Sequence, residues 1–298
     1  MSQIFDALHQ SQTEREANGT RQFSAAKELL RAVERSSEDS PRSVDQPAQL
    51  VRREQLPTFP LCEVLLPVHS KMVCLAEGGS FAAEKFRYLA TRLRHMQQKR
   101  SIRRLVVTSS VSGEGKSMVA GNLASALAGG RQQVLLLEGD LRRPSLGQQI
   151  GAVGFPGLSQ SLHAGVDPLD SVRRLQDSNL CILLAGDPQS NPMELMQPER
   201  LSALMDRFTG FDWIVIDSPP VLPLADTSIW MRLADAVLLI TRPGVTPEQQ
   251  LQRTIEAIEP QKLLGAVVNA SAESTTSDYY YHYAGRPGAS PLPSLVAK

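Results

Sequence analysis

The sequence predicts an α/β fold: a doubly wound, mostly parallel sheet with helices on both faces. Three observations predict it. Short apolar runs alternate with helical patterns through the middle of the chain. The runs are continuous rather than alternating polar and apolar, as strands covered on both faces require. The first of them leads through a glycine-bearing turn directly into a helix.

The elements follow in order. Ser2–Leu8 and Ser24–Arg35 are short amphipathic stretches, so residues 1–35 read as an N-terminal helical segment. Residues 36–75 read as a flexible linker. Pro41, Pro47, Pro57 and Pro60 with many polar neighbours leave little apolar surface to offset ordering entropy. Residues 76–270 are the expected globular domain. In it, Ala82, Phe86, Leu89, Leu93 and Met96 recur at helical spacing and predict a helix over Ser80–Gln98. The expected strands are Arg104–Thr108, Val134–Leu137, Leu180–Leu184, Trp213–Ile216, Ala236–Ile240 and Leu263–Val268. Leu201, Leu204, Met205 and Phe208 form a further helical stripe, ended by Gly210. Residues 271–298, rich in Ser, Thr, Pro and Tyr, read as a mobile tail.

Composition excludes several functions. Lys plus Arg and Asp plus Glu both number 31, so the net charge is zero and a nucleic-acid partner is not expected. No apolar run approaches the roughly 20 residues of a membrane span, and Met1–Gln10 lacks a signal-peptide pattern. Three irregularly spaced cysteines do not make a disulfide framework and fit a reducing cytoplasm. The five scattered histidines offer no zinc spacing.

The chemistry concentrates at strand ends. Ser112-Gly113-Glu114-Gly115-Lys116-Ser117 stands between a strand and the helix Met118–Ala128, the context of a phosphate-binding P-loop. Glycines turn backbone amides inward around phosphate oxygens, and the helix N-terminus adds its dipole. Lys116 would reach the β- and γ-phosphates, and the Ser117 hydroxyl would ligate Mg²⁺. Ser110 replaces the first glycine of the general pattern. Glu138 and Asp140 end the second strand, two residues apart and thus expected on one side, as ligands of metal-bound water or as a base. Asp217 ends another apolar strand, the arrangement that holds the Mg²⁺ shell. Asn269 follows the last strand, where its amide suits adenine recognition, and Thr241–Thr246 borders the same region. Four of five tyrosines, Tyr279, Tyr280, Tyr281 and Tyr283, crowd the tail. They read as phosphate acceptors, as an aromatic docking patch or as an aggregation-prone segment.

Together these residues resemble the bacterial tyrosine kinases of capsule and exopolysaccharide synthesis, P-loop enzymes of the MinD/ParA-like class. The resemblance runs from about Ser80 to Tyr283. It rests on the P-loop Ser112–Ser117, on Leu135–Arg142, on Ile214–Asp217, on Gly186-Asp187-Pro188 with Asn191–Leu195, and on the tyrosine cluster. It implies an ATP- and Mg²⁺-dependent protein-tyrosine autokinase whose nucleotide contacts include Ser112–Met118. Lys116 would stabilise the transferred phosphoryl group. Ser117, Asp140 and Asp217 would hold Mg²⁺, and Glu138 would stand by the incoming tyrosine hydroxyl. Tyr279, Tyr280, Tyr281 and Tyr283 become the acceptors. Two positions depart from the family pattern: Glu138 stands where the family has Asp, and Ala90 where its assembly pattern has Arg. Homo-oligomer formation is left open by the second. The first predicts that Glu138→Asp speeds transfer. The resemblance also implies a cytoplasmic chain recruited to the inner face of the membrane by a membrane-anchored activator of the polysaccharide co-polymerase type, on a separate chain. The alternative function is a MinD/ParA-like nucleotide-switch ATPase, or a weakened kinase acting as a scaffold.

Overall fold

A computed structural model describes residues 56–76, 79–152, 154–176, 178–189, 191–222 and 225–270. The N-terminal helical segment, the first half of the expected linker and the tyrosine tail lie outside the described residues. Eight strands form one sheet in the order β1-β4-β5-β3-β6-β2-β7-β8. They are β1 (Leu61–Cys62), β2 (Arg104–Ser109), β3 (Val134–Glu138), β4 (Arg173–Leu175), β5 (Leu180–Leu183), β6 (Trp213–Asp217), β7 (Ala236–Thr241) and β8 (Leu263–Val268). The six strands expected from sequence are all present and mutually parallel. The exception to parallel pairing is β4 against β5. Only residues 176–179 join these two, too few for the crossover a parallel pair needs.

Continuous apolar strands feed two cores, one on each face. On β2, β3 and β6, Val106, Leu135, Leu137, Ile214 and Ile216 enter one core. Their alternating neighbours Leu105, Val107, Val134, Leu136 and Val215 enter the other. The first core is covered by α5 (Leu158–Ala164), α6 (Pro168–Ser171), α7 (Pro198–Asp206), α8 (Asp226–Leu233) and α9 (Glu248–Ala257). The second is covered by α2 (Phe81–Lys99), α3 (Lys116–Ala128) and α4 (Leu146–Ile150). Helix α2 begins where the Ser80 side chain accepts a hydrogen bond from the Ala83 amide (3.2 Å), and it buries Ala83, Ala90 and Leu93. Among the described residues no helix is long and apolar enough to cross a membrane.

The structure corrects the linker over its last twenty residues. Residues 56–75 are a strap bound to the sheet and to α3. Strand β1 pairs with β4, and Phe59, Cys62 and Met72 are buried. Inside α3 the fully buried Asn122 donates to the Lys71 carbonyl (2.9 Å) and accepts from the Cys74 amide (2.9 Å) at the start of α1 (Val73–Ala76). The strap's buried residues follow no periodicity, so neither a strand nor a helix pattern marks them.

Candidate functional site

Most of the strand-end residues converge on one cavity of about 710 Å³ at the end of β2, although Glu114, Glu138 and Asp217 do not line it. Ser112, Gly113, Gly115, Lys116, Ser117, Met118, Asp140 and Asn269 line it. Gly113 and Gly115 have φ of 87° and 92°, the left-handed conformation that glycine adopts without strain. At Gly115 a Cβ would also meet the Asn269 amide nitrogen at 2.2 Å. Glu114 does not face the cavity with its side chain. Its carboxylate accepts from the Val111 amide (2.8 Å) and from the Thr246 hydroxyl, bracing the loop from behind. The Asn269 amide donates to the Glu114 carbonyl (2.8 Å), so the chain just past β8 also holds the loop. Arg242 donates to the Gly113 carbonyl (3.3 Å). Ser110, at the departed glycine position, is buried with an unpartnered hydroxyl.

Lys116 sits between two acids. Its ammonium is 3.0 Å from Asp140 and 3.7 Å from Asp217. Burial works against its charge, but Asp217 and Asp140 outweigh burial and hold its pKa above the ordinary lysine value. Asp217 is fully buried at the end of β6, with Lys116 and Ser117 beside it. Neither of its oxygens receives a hydrogen bond of good geometry. Burial accordingly raises its pKa, and Lys116 opposes that only in part. The Ser117 hydroxyl lies 3.3 Å from Lys116 Nζ and 3.3 Å from Ser145 Oγ. Asp140 also accepts from the Arg143 amide (3.1 Å).

Glu138 is overturned as a group beside the incoming hydroxyl. One of its oxygens accepts from the amides of Ser145 (2.7 Å) and Leu146 (2.6 Å), and the other from the Ala185 amide (3.0 Å). Its carboxylate is buried and fastens the start of α4 to the end of β5. Burial raises its pKa, and the three backbone bonds counter that. Two residues apart in a strand means one side, but β3 ends at Glu138. The chain then turns through Gly139, whose amide donates to the Asp217 carbonyl (2.8 Å). The Gly139 carbonyl accepts from the Trp230 indole (3.1 Å), and a Cβ on Gly139 would meet that ring at 2.8 Å. Asp140 therefore faces Lys116 while Glu138 faces away.

Several cavity residues carried no sequence signal: Pro67, His69, Ser70 and Lys71 of the strap, and Arg143, Ser145, Gln148 and Gln149 around α4. Arg142 was legible only as part of the acidic motif. It makes a bidentate ion pair with the buried Asp226 (2.6 and 3.1 Å), tying the β3 loop to α8.

A P-loop between β2 and α3, with one strand-end acid on β6 and another just past β3, matches known proteins. No family model matches the chain. Tyrosine-protein kinase YwqD of Bacillus subtilis is 29% identical over 214 residues, covering 71% of this chain and 90% of YwqD. The solved VpsO kinase domain is 30% identical, with a TM-score of 0.55, over 64% of this chain and 98% of that domain. The chain belongs to the bacterial tyrosine-kinase family. Succinoglycan biosynthesis transport protein ExoP of Rhizobium meliloti is 29% identical over 218 residues, which is 70% of this chain but 27% of ExoP. This chain thus corresponds to nearly all of YwqD and to about a quarter of ExoP.

Proposed function

We propose that this chain is an ATP-dependent protein-tyrosine kinase that phosphorylates its own tail at Tyr279, Tyr280, Tyr281 and Tyr283 and regulates exopolysaccharide synthesis and export. The single observation that carries the reading is the Lys116–Asp140–Asp217 cluster at a P-loop, in a chain belonging to this family. Names of relatives support the tyrosine acceptor and the polysaccharide context.

The amides of Ser112–Met118 would hold the phosphates, with Lys116 on the transferred group and Asn269 toward the base. A fully buried carboxylate without a well-formed hydrogen bond, beside a hydroxyl and a second carboxylate, is a set of hard oxygen donors that fits Mg²⁺. Ser117, Asp140 and Asp217 would hold it, directly or through water. Mg²⁺ supplies charge neutralisation on the β- and γ-phosphates when bound. Asp140 replaces Glu138 as the acid on the acceptor side, since it lines the cavity and Glu138 does not. The tyrosine oxygen bonds to the γ-phosphorus, the bond to the β–γ bridging oxygen breaks, and ADP leaves. The phenolic proton passes to Asp140 and on to solvent.

ExoP contains the matching region within a far longer chain. We take that to support a membrane-anchored activator of the co-polymerase type, which here acts as a separate chain and recruits this cytoplasmic kinase to the inner membrane face. Intact-mass measurement after incubation with Mg-ATP tests the reading. The wild type should gain several phosphates and Lys116→Met none. A wild type that hydrolyses ATP without gaining mass is a switch ATPase instead.

A further inference from the structure

The cavity has two rims, and the nucleotide accounts for one. In the sheet, β7 and β8 lie on one side of β2, while β6 and β3 lie on the other. Arg242, Asn269 and Ala270 follow β7 and β8 and form the rim assigned above to the base. The other rim follows β3. It comprises Arg143, Gln148 and Gln149, with Lys71 of the strap beside them. Neither Lys71 nor Arg143 makes an ion pair among the described residues. Both are nevertheless held in place through their backbones. Asn122 donates to the Lys71 carbonyl, and the preceding Ser70 hydroxyl donates to the Gln149 carbonyl (3.0 Å). The Arg143 amide donates to Asp140, the acid on the acceptor side.

We infer that Lys71 and Arg143 form an anion-reading acceptor subsite, selecting tyrosines flanked by an acidic or already phosphorylated residue. This rests on the kinase reading above and specifies its acceptor. The occupant is the tail segment Asp278–Tyr283. The described chain reaches Ala270 on the cavity rim, and eight residues separate it from Tyr279. That length spans up to roughly 30 Å when extended, enough to cross the cavity mouth. Asp278 supplies the first negative charge beside Tyr279. Each transferred phosphate adds about −1.5 to −2 more at neutral pH. Phosphorylation of the cluster is therefore hierarchical: a phosphate resting on the two cations presents the neighbouring tyrosine to Asp140.

Peptide binding tests this without needing turnover. Fluorescein-labelled peptides of residues 275–283 are titrated with the full chain holding a non-hydrolysable Mg-ATP analogue, its own tail kept from competing by Asp278→Asn with Tyr279, Tyr280, Tyr281 and Tyr283 each replaced by Phe. One peptide is native, one carries Asp278→Asn and one is phosphorylated on Tyr279. The phosphopeptide should bind tightest and the Asp278→Asn peptide weakest, with about tenfold between them. The double variant Lys71→Met/Arg143→Met should flatten that ranking, Lys71→Arg should keep it, and Mg-ADP affinity by calorimetry should not change in any of them. A ranking that survives the double variant overturns the inference. So does nucleotide affinity that falls with it, or a tail-substituted chain that binds none of the peptides. Ranked binding by a chain that transfers no phosphate would instead contradict the kinase reading alone.

Discussion

Glu138 and Asp217 occupy equivalent places on neighbouring strands. They are register partners across β3 and β6, both are buried, and burial raises the pKa of both. Yet Glu138 accepts three backbone hydrogen bonds, and Asp217 accepts none of good geometry, with only Lys116 and Ser117 beside it. A buried carboxylate that is fully bonded is part of the framework, and removing its charge breaks the bonds that justify it. A buried carboxylate left without donors costs stability unless a cation completes it. The two strand ends teach that charge and position along a strand do not identify a functional acid. What identifies it is the unfilled hydrogen-bonding capacity.

The comparison can be broken most sharply at Asp217. Asp217→Asn should lower tail phosphorylation on the order of 10²- to 10³-fold, while the nucleotide-free chain becomes more stable by about 1 kcal/mol. Rapid-quench rates and thermal melts check the two halves, and a destabilised Asp217→Asn chain would contradict the second. Next in size is Glu138→Gln. Its amide NH₂ must face a backbone N–H, so the chain should lose about 2–3 kcal/mol, a drop of roughly 5–10 °C in melting temperature. Nucleotide affinity of the folded protein should stay within about twofold. Glu138→Asp withdraws the carboxylate by one methylene from three donors. It should therefore destabilise the chain without speeding transfer, the reverse of the expectation drawn from the family pattern.

The smallest effect is the pH dependence of the gap between wild type and Asp217→Asn. The folded pKa of Asp217 is raised above its unfolded value, chiefly by burial. Its contribution is therefore most favourable below the unfolded pKa and is lost as pH rises through the folded pKa. The stability advantage of Asp217→Asn should be largest at neutral pH and shrink on acidification through the folded pKa. Urea denaturation of both proteins at a series of pH values reads it, and an advantage that grows on acidification would reverse the sign.

The same comparison shows what the sequence makes legible. Six apolar runs and the P-loop are contiguous signals, and all six strands stand where the runs predict. Lys116, Ser117, Asp140 and Asn269 were placed at the cavity because each sits at the end of such a run or in the loop that follows it. Glu138 was misplaced because alternation holds only while a strand continues, and β3 stops at that residue. The strap was missed for a different reason. Phe59, Cys62 and Met72 are buried at irregular intervals among prolines, and a two-residue strand has no pattern. Its anchor, Asn122, looks from sequence like any polar residue in a helix, although three of its hydrogen bonds go to Lys71, Cys74 and Met118. Acceptor selection by Lys71 and Arg143 depends on tertiary placement that local sequence does not carry.

The most direct test of the account is the phosphate count per chain, by intact mass, in Glu138→Gln and Asp217→Asn after identical incubation with Mg-ATP at a temperature where both are folded. The account predicts near wild-type incorporation in Glu138→Gln and almost none in Asp217→Asn. Loss of incorporation in Glu138→Gln with retention in Asp217→Asn would contradict it.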